Sequence, residues 1–307
     1  MADDDEARLL ATTPYYESWH GNQDFYRRGA IVVSKTQWKN CVGTVLFITA
    51  VIGLYIYVVM VTSLPLAYIG VTIPGYINAL YWFARTAFMD PGFVPKHYEQ
   101  QRDAPSTANK DDEPDRFCTF CEVPKPPRRS HCRVCNCCVD QFDHHCPWTG
   151  NCVGKRNHRV FVAFLVALVV LDLFMFGTLV AFTIQFTFLE DHGLRAFMDR
   201  YWIVPVALYA TGSTLGLLGA FLAYHLQLIS KNMTTNELIR ARTAQVLAAI
   251  NATPEENTDN DDDDNRRRRP SAYANWRAHW HRFLTAPTPP SKVLESRATA
   301  APSIVIV

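Results

Sequence analysis

Cys118-Thr-Phe-Cys121, His131-Cys132-Arg-Val-Cys135-Asn-Cys137-Cys138, Asp143-His144-His145-Cys146 and Cys152 follow one another within 35 residues. The stretch holds eight of the nine cysteines and three histidines. Cys-x2-Cys steps occur at 118/121, 132/135 and 135/138. Two thiolates three residues apart, held by a tight turn, bind one tetrahedral zinc ion. Two closed sites need eight ligands, and eleven candidates are present, which leaves three for other work. Disulfides are the competing reading, and the reducing compartment argued below disfavours them. A double zinc knuckle with a purely structural role is the stronger rival. Against it stands Asp143-His144-His145-Cys146, where acid, base and thiol lie within four residues. That grouping suits a cysteine nucleophile activated by histidine and oriented by aspartate. Spacing alone does not say which cysteine is spare.

The flanks place this stretch at a membrane. The chain has 307 residues, is 49% hydrophobic and carries a net charge of +1, a balance unlike that of a nucleic-acid binder. Residues 1–30 are acidic and polar, without the pattern of a cleavable signal peptide. Val42–Val61 contains no charged residue, which is about the length a helix needs to cross a hydrocarbon layer of ~30 Å. Leu66–Ala84 is also uncharged and ends at Arg85. Two further apolar runs cover Val160–Leu189 and Tyr201–Tyr224. Four membrane helices are therefore expected.

Basic residues set the orientation. Eleven lysines and arginines follow Arg85 before the third run, against none between the first two and Arg195 and Arg200 between the last two. The cysteine-rich loop and both termini are expected in the cytosol. The sequons Asn232-Met-Thr234 and Asn251-Ala-Thr253 would then carry no glycan. The expected division is a cytosolic segment 1–41, helices 1 and 2 over 42–89, and a cytosolic loop 90–159 with its zinc core at 116–158. Helices 3 and 4 follow over 160–230, then a cytosolic region 231–307. Residues 1–41 read as a plain tail, 255–265 as an acidic linker and 266–269 as a basic block. Asp172 inside the third run calls for a polar partner, with Thr211 or Ser213 as candidates. Gly212, Gly216, Gly219 and Ala220 read as a helix-packing stripe.

Cys118-x2-Cys121, Pro126-Pro127-Arg128, His131-Cys132-x2-Cys135-x2-Cys138, Asp143-His144-His145-Cys146-Pro147-Trp148, Asn151-Cys152-Val153-Gly154 and Asn157 together resemble the cysteine-rich domain of DHHC protein S-acyltransferases, the palmitoyltransferases. Asp90-Pro91-Gly92 and Thr234-Thr235-Asn236-Glu237 resemble two further motifs of that family, in the right order. As bare sequence the second is a helix-capping pattern. Asn275-Trp276-Arg277, with Trp280 and Phe283, resembles the family's C-terminal motif, and equally reads as an amphipathic interfacial helix.

The resemblance implies one structural zinc ion on Cys118, Cys121, His131 and Cys138, and a second on Cys132, Cys135, His145 and Cys152. Cys146 would be the acyl-accepting nucleophile, His144 its base and Asp143 the orienter of that base. Cys137 is no ligand in this pattern. The implied activity is ping-pong transfer of a long-chain acyl group from palmitoyl-CoA to Cys146, then to cysteines of membrane-associated proteins. Arg128, Arg129, Lys155, Arg156 and Arg159, with Lys125, are candidates to meet the CoA phosphates. The third span, beside residues such as Leu171, is expected to help set chain length. The expected fold is an α-helical integral membrane protein with four transmembrane helices and a cytosolic zinc module rich in short β-hairpins. The expected location is the Golgi, ER or plasma membrane. Two rivals are a zinc module that only binds partners and a RING-type ubiquitin ligase, whose spacing fits poorly. Val305-Ile306-Val307 reads as a frayed apolar tail.

Overall fold

A computed structural model describes residues 13–62, 64–98, 117–190, 193–251 and 275–296. The acidic linker, the basic block, most of the lead-in before Cys118 and Val305-Ile306-Val307 lie outside the described residues.

Among the described residues, three helices are long and apolar enough to cross a membrane. The first is α1, Trp38–Val61. The second is α3, His158–Ile184, prolonged by a wider last turn to Leu189. The third is α5, Ile203–Ser230, reached through the short amphipathic α4, Gly193–Tyr201. The second apolar run forms α2, Ala67–Phe88, a helix of 22 residues with Pro74 inside it. It has the length of a span, but tyrosine, glycine, proline and asparagine dilute its hydropathy, so it falls outside the three. Leu46, Phe47, Ile77, Val170, Leu173 and Leu217 stand exposed on the helix surfaces. Such surfaces are disfavoured in water and are what a lipid environment accepts. α3 packs against both α2 and α5 and forms the centre of the bundle.

Asp172 on α3 accepts a 2.6 Å hydrogen bond from Thr214 Oγ1 on α5. The partner is Thr214, not the Thr211 or Ser213 expected from the sequence, whose hydroxyls donate to carbonyls of α5 itself. Of the small-residue stripe, Gly212 alone lies against a neighbouring side chain, with Phe176 3.0 Å from where its Cβ would stand. A Cβ at Gly216 or Gly219 would meet nothing within 4 Å. Leu171 leans on Gly75 of α2.

The cysteine-rich stretch consists of short antiparallel pairs. β4, Phe117–Cys118, pairs with β5, Val123–Pro124. β7, Cys137–Val139, lies between β6, Ser130–Cys132, and β3, Phe93–Val94. β8, His144–Cys146, pairs with β9, Asn151–Val153. Asp90 Oδ1 accepts from the N–H groups of Gly92 and Phe93, each at 2.8 Å, and turns the chain out of α2 into β3. Gly92 sits there at φ +111°, a conformation that glycine alone adopts at little cost.

Residues 13–41 are no loose tail. β1, Gln23–Tyr26, and β2, Ile31–Ser34, form a hairpin through Arg27-Arg28-Gly29, all three at positive φ. The hairpin docks on the zinc module. Asn22 N–H and Gln23 Nε2 both donate to Cys135 O, and Val32 is buried beside Phe93, Cys132 and Cys135. Its strands are four residues each and its turn carries charge, so the alternation is too brief to stand out in the sequence.

Asn151 joins the module to the bundle. Its amide donates to the carbonyls of Thr86, Ala87 and Met89, at 3.3, 3.0 and 2.9 Å, where α2 has run out of partners. Asn157 adds bonds to Thr86 O and Cys152 O. Asn151→Ala leaves buried carbonyls unpaired and is expected to cost about 1–3 kcal/mol. Thermal unfolding in detergent checks this, and an unchanged midpoint would show that those carbonyls have other partners.

Candidate active site and metal centres

In a β-strand, successive side chains face opposite ways. In β6 this sends His131 to one face and Cys132 to the other. His131 lies directly across from Cys138, and Cys118 and Cys121 complete a group around it. In β8 the same rule turns His145 one way and His144 and Cys146 the other. His145 lies directly across from Cys152, and Cys132 and Cys135 complete a second group. Cys137 sits opposite Cys132 but belongs to neither group. It is wholly buried, with its Sγ 3.9 Å from Gln23 Oε1.

The donor atoms have the spacing that zinc requires. Bonds of about 2.3 Å to sulfur and about 2.0–2.1 Å to nitrogen give tetrahedral edges of about 3.6 Å for S···N and about 3.8 Å for S···S. His131 Nδ1 is 3.5 Å from Cys118 Sγ and 3.3 Å from Cys121 Sγ. His145 Nδ1 is 3.7, 3.4 and 3.5 Å from the sulfurs of Cys132, Cys135 and Cys152. The Cys152 and Cys135 sulfurs are 3.4 Å apart. His145 Nε2–H donates to Gln37 Oε1 at 2.7 Å, which leaves Nδ1 free to face a metal. Gln37, just ahead of α1, has no sequence signature, because only folding brings it 108 positions along the chain to His145.

The other face of β8 carries a different arrangement. His144 Nδ1 donates to Asp143 Oδ2 at 2.7 Å. Asp143 also accepts from Thr235 N–H at 2.8 Å and from Thr235 Oγ1–H at 2.9 Å. Thr235 opens α6, Thr235–Asn251, whose start is capped by the Thr234 and Glu237 pair expected from sequence. The capping motif thus also holds the carboxylate, a second task that its sequence does not disclose.

Burial alone would raise the Asp143 carboxyl. The hydrogen bonds from His144 and Thr235 outweigh this and hold it below the usual carboxylate range. Burial would likewise lower the His144 imidazole. Its hydrogen bond to Asp143 and the sulfur of Cys146 carry it instead up to about 9. Burial pushes the Cys146 thiol up, and the neighbouring His144 imidazole brings it below its ordinary value. The net result is a thiol biased toward thiolate beside an imidazole biased toward imidazolium. His144 Nε2 is buried with no hydrogen-bond partner in this geometry, while still close enough to Cys146 for each to shift the other's proton affinity.

The start of α1 holds the turn after Cys146. Cys41 Sγ–H donates to Thr149 O at 2.9 Å, and Thr44 Oγ1–H to Trp148 O at 2.8 Å. Gly150, at φ +60°, lies 3.0 Å from Cys41 Sγ at its would-be Cβ, so a larger residue there is strained and crowds Cys41. Cys146 is 4% exposed and packs in one cluster with Cys41, Phe83, Phe161, Phe164 and Leu165 at the end of the bundle. Cys41, the ninth cysteine, sits near the site although it lies 105 residues away in the chain.

The five candidate cations divide. Arg129 is buried and bonded to Asp140 at 2.7 Å, and Arg156 is bonded to Asp90 at 2.5 Å. Arg128 lies 3.1 Å from Glu237. These three line one cleft of about 510 Å³ with Lys155, which is exposed and makes no ion pair among the described residues. Arg159 is separate. It donates to Leu284 O and Thr288 Oγ1 and lines an apolar groove between α2 and α3. That groove is roofed by α7, Trp276–Thr285, which is pinned to Ser230 through Trp280 Nε1–H.

Residues 111–242 match the family model described as DHHC palmitoyltransferase. The chain is 32% identical to Palmitoyltransferase ZDHHC14 of Homo sapiens, over 76% of this chain and 52% of that protein. It is 30% identical to Palmitoyltransferase ZDHHC18-B of Danio rerio, over 73% and 64%. It is 32% identical to Palmitoyltransferase ZDHHC9 of Bos taurus, over 55% and 53%. The chain spans about half to just under two thirds of the length of these relatives. With its paired Cys/His groups and membrane-length helices, the chain carries a DHHC palmitoyltransferase domain over residues 111–242 and is similar to palmitoyltransferases beyond it.

Proposed function

We propose that the protein is a protein-cysteine S-palmitoyltransferase that carries its acyl group on Cys146. The observation that supports this most is the division of labour along β8: His145 faces a metal-ligand group while His144 and Cys146 share the opposite face. Cys146 is the cysteine left free beside a base, and Asp143 fixes the tautomer of that base.

In the first half-reaction the Cys146 sulfur attacks the thioester carbonyl of a long-chain acyl-CoA. The carbon–sulfur bond to CoA breaks, a new thioester forms on Cys146, and the thiol proton reaches the CoA sulfur through His144. In the second, His144 takes the proton of a substrate cysteine, whose sulfur displaces Cys146. One thioester replaces another at each step, so neither needs an external energy source. Ping-pong kinetics follow. Two zinc ions, when bound, clamp the hairpins that hold β8. The eight ligands are Cys118, Cys121, His131 and Cys138, with Cys132, Cys135, His145 and Cys152.

The greasy tail and polyanionic head of acyl-CoA are best handled at a membrane surface. We infer that α2 serves as a fourth span, that the module and both termini are cytosolic, and that the domain limits are those drawn from the sequence. The protein then works in the Golgi, ER or plasma membrane on cysteines of membrane-associated proteins. Lys155 is the favoured phosphate contact, since Arg129 and Arg156 already hold carboxylates.

Purified protein incubated with palmitoyl-CoA is expected to gain one hydroxylamine-labile palmitoyl group by intact mass. No gain, with both zinc ions bound, would reject the enzymatic reading in favour of a binding module. His144→Ala is expected to slow loading by about 10²–10⁴-fold while zinc content stays at two.

A further inference from the structure

His225 on α5 is 1% exposed, and neither ring nitrogen has a hydrogen-bond partner. His158 Nε2, at the start of α3, is likewise buried without one. A neutral imidazole always carries one donor and one acceptor. Left unpaired in a buried site, such groups destabilise the fold. A phenylalanine would fill the space among Phe161, Phe221 and Tyr224 without that cost. The polar ring therefore calls for a partner.

The partner is close by. Ring nitrogens of His158 and His225 and a carboxylate oxygen of Asp143 all lie within 4.8 Å of one another, yet no direct hydrogen bond joins them. Around a water oxygen with bonds of about 2.8 Å, the tetrahedral edge is about 4.6 Å. One water with three polar partners is what a buried polar site of this kind holds. Asp143 Oδ1 accepts only the Thr235 N–H, so one lone pair remains for that water. The His225 ring also lies 5.7 Å from that of His144.

We propose that His225 is a positioning residue: with His158 it holds a buried water on Asp143, and so keeps the carboxylate turned toward His144. Thr235 grips Asp143 from one side and the water from the other. Without the water Oδ1 keeps only the Thr235 N–H, so the carboxylate holds His144 less firmly in its tautomer. This inference rests on the reading of Cys146, His144 and Asp143 as the acyl-transfer group.

Single-turnover loading of the full chain with palmitoyl-CoA tests it, using His225→Phe and His225→Gln. His225→Phe is expected to lower the maximal loading rate at least about tenfold, with half-saturating palmitoyl-CoA and both zinc ions unchanged. His225→Gln, which keeps a donor and an acceptor, is expected to recover most of the rate. Wild-type loading in His225→Phe overturns the proposal. So does equal slowing in both variants, or loss of zinc in His225→Phe, since either makes the role one of shape. A third zinc equivalent that disappears with His225 also overturns it, because the three groups would then form a metal site. Absence of loading in the wild type would instead reject the acyl-transfer reading.

Discussion

A Cys146→Ser protein is expected to acquire no hydroxylamine-labile acyl group from palmitoyl-CoA, while still binding two zinc ions per chain. The reason is chemical. A thiol lowered by a neighbouring imidazole gives up its proton more readily, whereas a serine hydroxyl keeps its proton and is a far weaker nucleophile without full base catalysis. The loading rate should fall by about 10⁴-fold or more, on the scale of losing an activated nucleophile. Any acyl group that did form would be an oxygen ester, which resists hydroxylamine under conditions that cleave thioesters. Zinc is retained because Cys146 faces away from the ligand groups. Undiminished labile acylation of the serine variant would move the acceptor to another cysteine, and buried Cys41 would be the first to examine.

The second large effect falls one residue earlier. His145→Ala removes one of four ligands from the group formed with Cys132, Cys135 and Cys152. Structural zinc contributes about 10–16 kcal/mol of binding free energy in small domains, and that energy is folding energy. The module has little else to hold it, since its strands are two or three residues long. Zinc content is expected to fall from two to one or fewer, with protease cleavage appearing between residues 117 and 157. His144→Ala, its neighbour, should keep both ions. Equal zinc content in the two variants would contradict the opposite facing of these side chains.

Several features of the site were legible in the chain itself. The Cys-x2-Cys steps pointed to metal binding, because closely spaced thiolates suit a zinc ion, while the division into two ligand sets came from the family resemblance. The Asp143-His144-His145-Cys146 run placed acid, base and thiol together because Asp143 and His144 are adjacent and His144 and Cys146, at i and i+2 of a strand, share a face. Thr234-Thr235-Asn236-Glu237 was legible as a cap, since capping is a local hydrogen-bond pattern. What reached beyond local pattern was not legible. Gln37 on His145, Thr235 on Asp143 and Cys41 on Thr149 each span about 90 residues or more. Nothing in their own neighbourhoods signals those partners. The hairpin at 23–34 was misread as a tail because its strands are too short to establish a period.

Sequence alone determined the setting: which residue types are present to bind zinc, that acid, base and thiol lie within four residues, and where the chain is apolar enough to enter a bilayer. These follow from composition and spacing over a few residues, the range over which covalent geometry is fixed. Tertiary structure alone decided how the candidates are used. It turned His145 toward Cys132, Cys135 and Cys152 and His144 to the face of Cys146, committed Arg129 and Arg156 to aspartates, and brought His225 across from α5 to Asp143. Those outcomes depend on packing between distant segments, where burial and unmatched hydrogen-bonding groups, rather than local sequence, choose the partner.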